Sequence, residues 1–271
     1  MTTIVFCHAH PDDEASQTSG TMARATAQGD RVVVVFATNG EHGEVPADLA
    51  DGETVAAYRR REAEASAQVL GLDRVVWLGY ADSGMSGWDQ NHAESSFHAA
   101  DLDQAARRLA AVLDEEGADV LVGYDWHGNY GHPDHVKVHH LVHRAAELAA
   151  RRPRLLESTM NRTELKRLFD LGREAGLEVG GDDWDPDSPM DDGNPLGMPE
   201  DEIHWRVDVS HHLAQRRASL TAHRSQATDI ETFLSMPPEV FAMMFSHEHY
   251  REPGVDQPMT EGWPFVPTSG V

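Results

Sequence analysis

Residues 31–38 read Arg-Val-Val-Val-Val-Phe-Ala-Thr, an apolar run with no polar alternation. A strand that is apolar on both faces has to be covered on both faces, as an inner strand of a parallel sheet is. Residues 3–8, 74–78 and 119–124 are short segments of the same kind. Between and after them lie stretches at helical spacing, 14–28, 54–70, 100–116 and 134–150. Gly29, Gly71 and Gly117 stand where the first three should stop, and Pro133 suits the first turn of the fourth. This alternation predicts α/β architecture: a Rossmann-like three-layer sandwich, its mostly parallel sheet carrying helices on both faces.

The rest of the chain is less regular. Residues 162–175 and 211–223 read as helices and 205–209 as a strand. Residues 180–202 are rich in Asp, Pro and Gly and hold no Lys or Arg, which predicts a long loop with a solvated acidic face. No linker separates two cores. The expectation is one domain over 1–271, with a core over about 1–160 and a C-terminal extension over about 161–271.

Forty-six acidic against 22 basic residues give a formal net charge of −24. Such a surface repels phosphate backbones and anionic lipid, so nucleic-acid and membrane partners are not expected. The single cysteine, Cys7, excludes an intrachain disulfide and fits a reducing compartment. With neither a signal peptide nor an apolar stretch of about 18 residues, a cytoplasmic protein is expected. The partner expected is a small molecule, and self-association is left open.

In open parallel sheets ligands bind beyond the carboxyl ends of the strands. Four polar loops fall there: Ala9-His10-Pro11-Asp12-Asp13-Glu14, Asn39-Gly40-Glu41-His42-Gly43, Tyr80-Ala81-Asp82-Ser83-Gly84 and Gly131-His132-Pro133-Asp134-His135. Either His-Pro-Asp segment alone is equally well a capped helix start, because Asp is an ordinary N-cap. Two of them at equivalent strand ends point to chemistry. His10 and Asp13 can reach one ion, and His135 is the best third ligand. Zinc commonly takes three such ligands and keeps a position for water. It would lower the pKa of that water from about 15.7 to roughly 7. Asp12, left free, suits a general base. His132 can hydrogen-bond an oxyanion, with Asp134 orienting it. His139 and His143 continue the helix face of His135 and read as helix-face or core histidines. His8 reads as a supporting or core residue.

No dinucleotide or phosphate-binding glycine loop is present, nor a nucleophile elbow. The two histidine motifs resemble those of the PIG-L/LmbE-type de-N-acetylases. Thr38-Asn39-Gly40-Glu41-His42-Gly43-Glu44, Arg59 with Glu62, Asp82-Ser83-Gly84-Met85 and Ala222-His223-Arg224-Ser225-Gln226 are similar to its actinobacterial, mycothiol-related branch. The resemblance implies zinc bound by His10, Asp13 and His135, with Asp12 as base and then acid. It also implies His132 at the oxyanion with Asp134 tuning it, Tyr130 polarising the carbonyl, and Arg59, Asp82 and Glu41 contacting substrate. Glu41-His42-Gly43 and Trp126-His127-Gly128-Asn129 depart from the family pattern at the pocket mouth and leave the metal residues untouched.

The function expected is zinc-dependent hydrolysis of an N-acyl, by preference N-acetyl, amide on an amino sugar, with iron(II) able to replace zinc. The close alternatives are a mycothiol S-conjugate amidase with a wider, more apolar pocket and a deacetylase tailoring an aminoglycoside or glycopeptide. A phosphoesterase fits less well, since only one three-ligand site can be placed. The non-enzymatic alternative is a metal- or sugar-binding protein.

Overall fold

The computed structural model describes residues 1–174, 185–190 and 192–267. The apolar segments form β1 (Thr3–His8), β2 (Arg31–Thr38), β3 (Arg74–Tyr80) and β4 (Val120–Tyr124), and β5 (Arg154–Thr159) joins them. These five run parallel in the order β3-β2-β1-β4-β5. β6 (Trp205–Asp208), β7 (His247–Arg251) and the two-residue β8 (Thr260–Glu261) continue the sheet in the order β5-β7-β6-β8. Only β7 runs antiparallel to its neighbours. This is the α/β class that the sequence predicts.

The pleat sorts each apolar run onto two faces. Val5, Cys7, Val33, Val35 and Leu121 pack under α3 (Leu102–Glu116) and α4 (Pro133–Leu148). Ile4, Phe6, Val32, Val34 and Val122 pack under α1 (Ser19–Ala27) and α2 (Val55–Leu70). Each such side chain contributes about 1.5–3 kcal/mol on burial, so neither face can be left to solvent. The Thr54 hydroxyl accepts from the Ala57 N–H at the start of α2, and left-handed Gly71 ends it. Asp101 caps α3 in the same way, and Gly117 closes it.

Beyond β5 come α5 (Arg162–Glu174), α6 (Leu213–Ala222), α7 (Ala227–Leu234) and α8 (Pro238–Phe245). Ile230, Phe241 and Phe245 pack with Leu220 and Ala15 in a small third cluster. Several features depart from the sequence reading. Residues 14–28 begin with a π-helical turn, Glu14–Thr18, before α1. β5 and β7 are unanticipated strands because each buries a charge. Glu157 of β5 is fully buried against Arg251 at 2.8 Å and His143 at 2.7 Å. Glu248 of β7 accepts from the Gly20 and Thr21 N–H groups and from Arg216. α7 and α8 are also unanticipated, each only eight residues long.

The acidic loop is only partly a solvated face. Its residues 180–184 and 191, with residue 175 of the helix expected over 162–175, lie outside the described set. Leu196 and Met198 are buried, and the Gly197 and Met198 N–H groups donate to the Asn129 and Met160 carbonyls at 2.7 and 2.9 Å. Among the described residues, no helix is long and apolar enough to cross a membrane.

Candidate active site

From β1 the connections run outward in opposite directions, to β2 and β3 on one side and to β4 and β5 on the other. The crevice of such a switch point collects the loops that follow the strands. His10 and Asp13 come from the loop after β1, Asp82 and Ser83 from that after β3. His132, Asp134 and His135 stand at the start of α4.

His10 Nδ1 lies 3.6 Å from Asp13 Oδ2, and His135 Nε2 lies 3.3 Å from Asp13 Oδ1. The other nitrogen of each ring faces oxygen. His10 Nε2 is 3.2 Å from Asp134 Oδ2 and 3.6 Å from Asp82 Oδ1. His135 Nδ1 is 3.2 Å from the Gly128 carbonyl. A carbonyl only accepts, so His135 carries its proton on Nδ1 and turns the Nε2 lone pair toward Asp13. Gly128 is left-handed at φ 67°, and a Cβ there would strike the His135 Cβ. The backbone can come this close only as glycine.

Two imidazole nitrogens facing the two oxygens of one carboxylate, each imidazole braced from behind by oxygen, suit a divalent ion. Electrostatics agree. Burial disfavours charge on His10, yet Asp82, Asp134 and Asp13 outweigh it and raise its pKa well above the ordinary value. Asp13 is buried too, but the His135 and His10 imidazoles hold its carboxyl well below the usual range. Its Oδ2 accepts from the His10 N–H at 2.8 Å and its Oδ1 from Gln17 Nε2 at 3.1 Å. Gln17 belongs to the π-helical turn.

The ligand nitrogens of His10, His132 and His135 lie within 4.8 Å of one another. The His132 ring is committed otherwise, since its Nδ1 accepts the Asp134 N–H at 3.1 Å. A neutral His132 therefore carries its proton on Nε2, as a donor and not a ligand. Burial and the two neighbouring imidazoles push its pKa down to about 3, and burial pushes His135 down to about 4.

Asp12 has φ 107°, outside the usual range for a side-chain-bearing residue and worth about 1–3 kcal/mol of strain. The surroundings hold it there. Its N–H donates to Glu14 Oε2 at 3.0 Å, and Glu14 is gripped by His223 at 2.6 Å and by Ser66. Arg59 donates to Asp12 Oδ2 at 3.0 Å and to the Pro11 and Gly40 carbonyls. The Asp12 side chain is 25% exposed whereas Arg59 is 3% exposed, so a substrate meets the carboxylate first. Burial, with Asp13 adding to it, lifts the Asp12 carboxyl to about 7 against the pull of Arg59.

The geometry gives several of the expected site residues further partners. The Asp134 carboxylate is bonded to Ser83 and His10, its charge bears on the His132 pKa, and its backbone N–H donates to His132 Nδ1. It therefore braces His10. Arg59 lines the cavity, with its guanidinium donating to Asp12 and two carbonyls. Glu41 is not among the residues lining the cavity. Asp82 does line it, but its oxygens already accept from Gly84 and His42 N–H groups at 2.8 and 3.2 Å. Tyr130 lines it as well, with its hydroxyl 3.4 Å from His135 Nε2.

Sequence reasoning gave no role to Tyr124, whose ring stacks on His135 at 4.5 Å and whose hydroxyl meets the Ala9 N–H and His8. It ends β4 beside β1, and that position was the available signal. Gln17 and Asn129, 2.7 Å apart, were also missed, and only folding brings them together. His139 and His143 sit apart from the site around Glu157.

The cluster closes one end of a cavity of about 600 Å³. Fold and site together define an enzyme of the amide-hydrolysing class. The chain belongs to the PIG-L family, whose model, described as GlcNAc-PI de-N-acetylase, matches residues 5–146. It is 36% identical over 266 residues to the 1D-myo-inositol 2-acetamido-2-deoxy-alpha-D-glucopyranoside deacetylase of Streptomyces avermitilis, covering 91% of this chain and 90% of that one. Among solved structures it is similar in fold to N,N'-diacetylchitobiose deacetylase from Pyrococcus horikoshii. The TM-score is 0.58 at 22% identity, over 92% of this chain and 83% of that one. It is equally similar in fold to the 4-carboxy-2-hydroxymuconate hydratase of Pseudomonas putida, with TM-score 0.57 at 16% identity, over 96% and 100% of the two chains. Fold alone does not select the reaction.

Proposed function

We propose that this chain removes the acyl group, by preference acetyl, from the nitrogen of an amino sugar, using a divalent metal held by His10, Asp13 and His135. The convergence of two braced imidazoles on the Asp13 carboxylate carries the reading, with the partly exposed Asp12 carboxylate at hand. The nitrogen-rich donor set favours zinc, with iron(II) as the alternative. Bound there, the metal would polarise the amide oxygen and make water acidic enough to attack.

The remaining work falls to side chains. Arg59 occupies Asp12 Oδ2, which leaves Oδ1 to take the proton of the attacking water. The His132 Nε2–H donates to the oxygen of the tetrahedral intermediate, and Tyr130 supports the same oxygen. Asp12 then returns its proton to the departing nitrogen, and water plus amide become amine plus carboxylate. Asp134 and Asp82 orient His10, while Glu14 and Arg59 fix Asp12. The named activity of the Streptomyces relative favours an N-acetylglucosaminyl inositol.

The test is release of free amine by zinc-reconstituted protein from a panel of N-acetylglucosaminides that includes the inositol conjugate. Activity abolished by a chelator, restored by zinc and lost in Asp12→Ala with metal retained is the expected result. Turnover by Asp12→Ala at the wild-type rate would remove Asp12 as the base. The rival amidase and tailoring readings share these groups and differ in what fills the rest of the cavity.

A further inference from the structure

The joint between α6 and α7, His223-Arg224-Ser225-Gln226, carries none of the reacting groups. Arg224 is exposed there, whereas His223, Ser225 and Gln226 are buried. Each of the three buried side chains holds a different segment around the site. His223 Nε2 lies 2.6 Å from Glu14 Oε1, and the other oxygen of Glu14 accepts the Asp12 N–H. Ser225 donates its N–H and its hydroxyl to the two oxygens of Glu62, one turn along α2 from Arg59. Gln226 Oε1 accepts the Glu44 N–H at 3.3 Å, and its Nε2 donates to the Ser225 hydroxyl at 2.9 Å.

A fully buried imidazole normally satisfies both of its nitrogens. His223 Nδ1 is buried with no hydrogen-bond partner among the described residues. The Glu14 contact is therefore what the ring is kept for. It reaches across 209 positions of sequence to the carboxylate that holds Asp12 at φ 107°. Gln226 serves the loop after β2 instead. His42 and Gly43 of that loop line the cavity, as does Gln226 itself. Gly43 lies so close that a Cβ there would strike both Arg59 and Gln226 Oε1. One end of the joint thus reaches the base, and the other reaches a wall of the cavity.

We infer that His223 and Gln226 are positioning residues with separate duties. His223, through Glu14, sets the Asp12 carboxylate for proton transfer, and Gln226, through Glu44, sets the loop after β2 for substrate binding. This rests on the hydrolase reading above. A base displaced by about 1 Å costs on the order of 100-fold in rate and leaves substrate binding alone. A displaced binding loop weakens contacts that substrate keeps throughout the reaction, which raises KM and spares kcat.

Two amide side chains separate positioning from mere filling at residue 223. The asparagine amide overlies imidazole Nδ1 and the glutamine amide overlies Nε2. His223→Asn therefore strips Glu14 of a donor and His223→Gln returns one, while both lose the ring. The expected result is a kcat lower by about 100-fold in His223→Asn, with KM and zinc content unchanged, and at least tenfold of that loss recovered in His223→Gln. Gln226→Leu should raise KM about fivefold, the worth of one net hydrogen bond, with kcat unchanged. Should His223→Asn fail to fold, judged by melting temperature, His223→Leu takes its place against His223→Gln. Equal kcat in the two folded variants at 223 would overturn the inference, as would an unchanged KM in Gln226→Leu. Crystal structures of the variants keep the two proposals apart. If the wild type releases no amine from any substrate the hydrolase reading fails. An Asp12 carboxylate displaced by about 1 Å or more in His223→Asn and in place in His223→Gln, with residues 40–44 displaced in Gln226→Leu, still supports the two duties. An Asp12 unmoved in both variants at 223, or residues 40–44 unmoved in Gln226→Leu, overturns them.

Discussion

The parallel half of the sheet and the strands beyond β5 bury polar groups for opposite purposes. At the ends of β1, β3 and β4, the buried carboxylates Asp13, Asp82 and Asp134 crowd around one imidazole. No Lys or Arg pairs with any of these three among the described residues. That arrangement waits for a cation. From β5 onward the buried carboxylates described are already matched, Glu157 by Arg251 and Glu248 by Arg216. The same residue types build a reactive centre in one region and fasten a wall in the other. The difference lies in whether the countercharge is built into the chain.

Breaking the cation-seeking cluster should cost most. His135→Ala removes one ligand nitrogen and should abolish stoichiometric zinc binding, with turnover falling to background, as read by metal analysis and amine release. Asp12→Asn should keep its metal and lose about 10³–10⁴-fold in kcat, within the range for general acid–base groups. A base works only when ionised, so wild-type kcat/KM should fall as pH drops through the Asp12 pKa. That value is about 7 without metal, and a nearby dication would lower it. An acid limb centred well above pH ~7 would exclude Asp12.

His132→Ala should lose about 10²–10³-fold in kcat with metal affinity unchanged, as for loss of one oxyanion donor. Its pKa of about 3 means that its own titration should leave no limb near neutrality. Asp134→Asn should weaken zinc binding by about 10–100-fold, the usual cost of removing a partner from a ligating histidine. The matched half supplies the contrast. Glu248→Gln should change kcat least of all, yet cost about 3 kcal/mol and on the order of 10 °C in Tm. It leaves Arg216, 2% exposed, without its countercharge. Unchanged melting would show that this half is not held together by matched charges.

The contrast also explains what the sequence discloses. β1 to β4 are legible because apolar runs such as Val32–Val33–Val34–Val35 can only be buried. β7, with His247, Glu248, His249 and Arg251, reads as surface because its burial depends on partners more than 30 residues away. The loops holding His10, Asp12, Asp13, His132 and His135 are legible because imidazole and carboxylate crowd together at strand ends. The partner that Asp134 serves is not legible, since the neighbouring His132 and the distant His10 compete for it and only the fold brings His10 to the carboxylate. Tyr124, Gln17 and Asn129 are common residue types whose roles exist only in three dimensions.

Asn129, left-handed at φ 68°, bonds Gln17 through its side-chain nitrogen, the Met160 N–H through its side-chain oxygen and the Gly197 N–H through its carbonyl. Gln17 in turn holds Asp13. One amide thus rivets a would-be metal ligand to segments that leave the ribosome well after it. A nascent chain cut short before residue 197 could complete its parallel strands and still hold Asp13 slackly, so tight metal capture would report that the last third of the protein had docked.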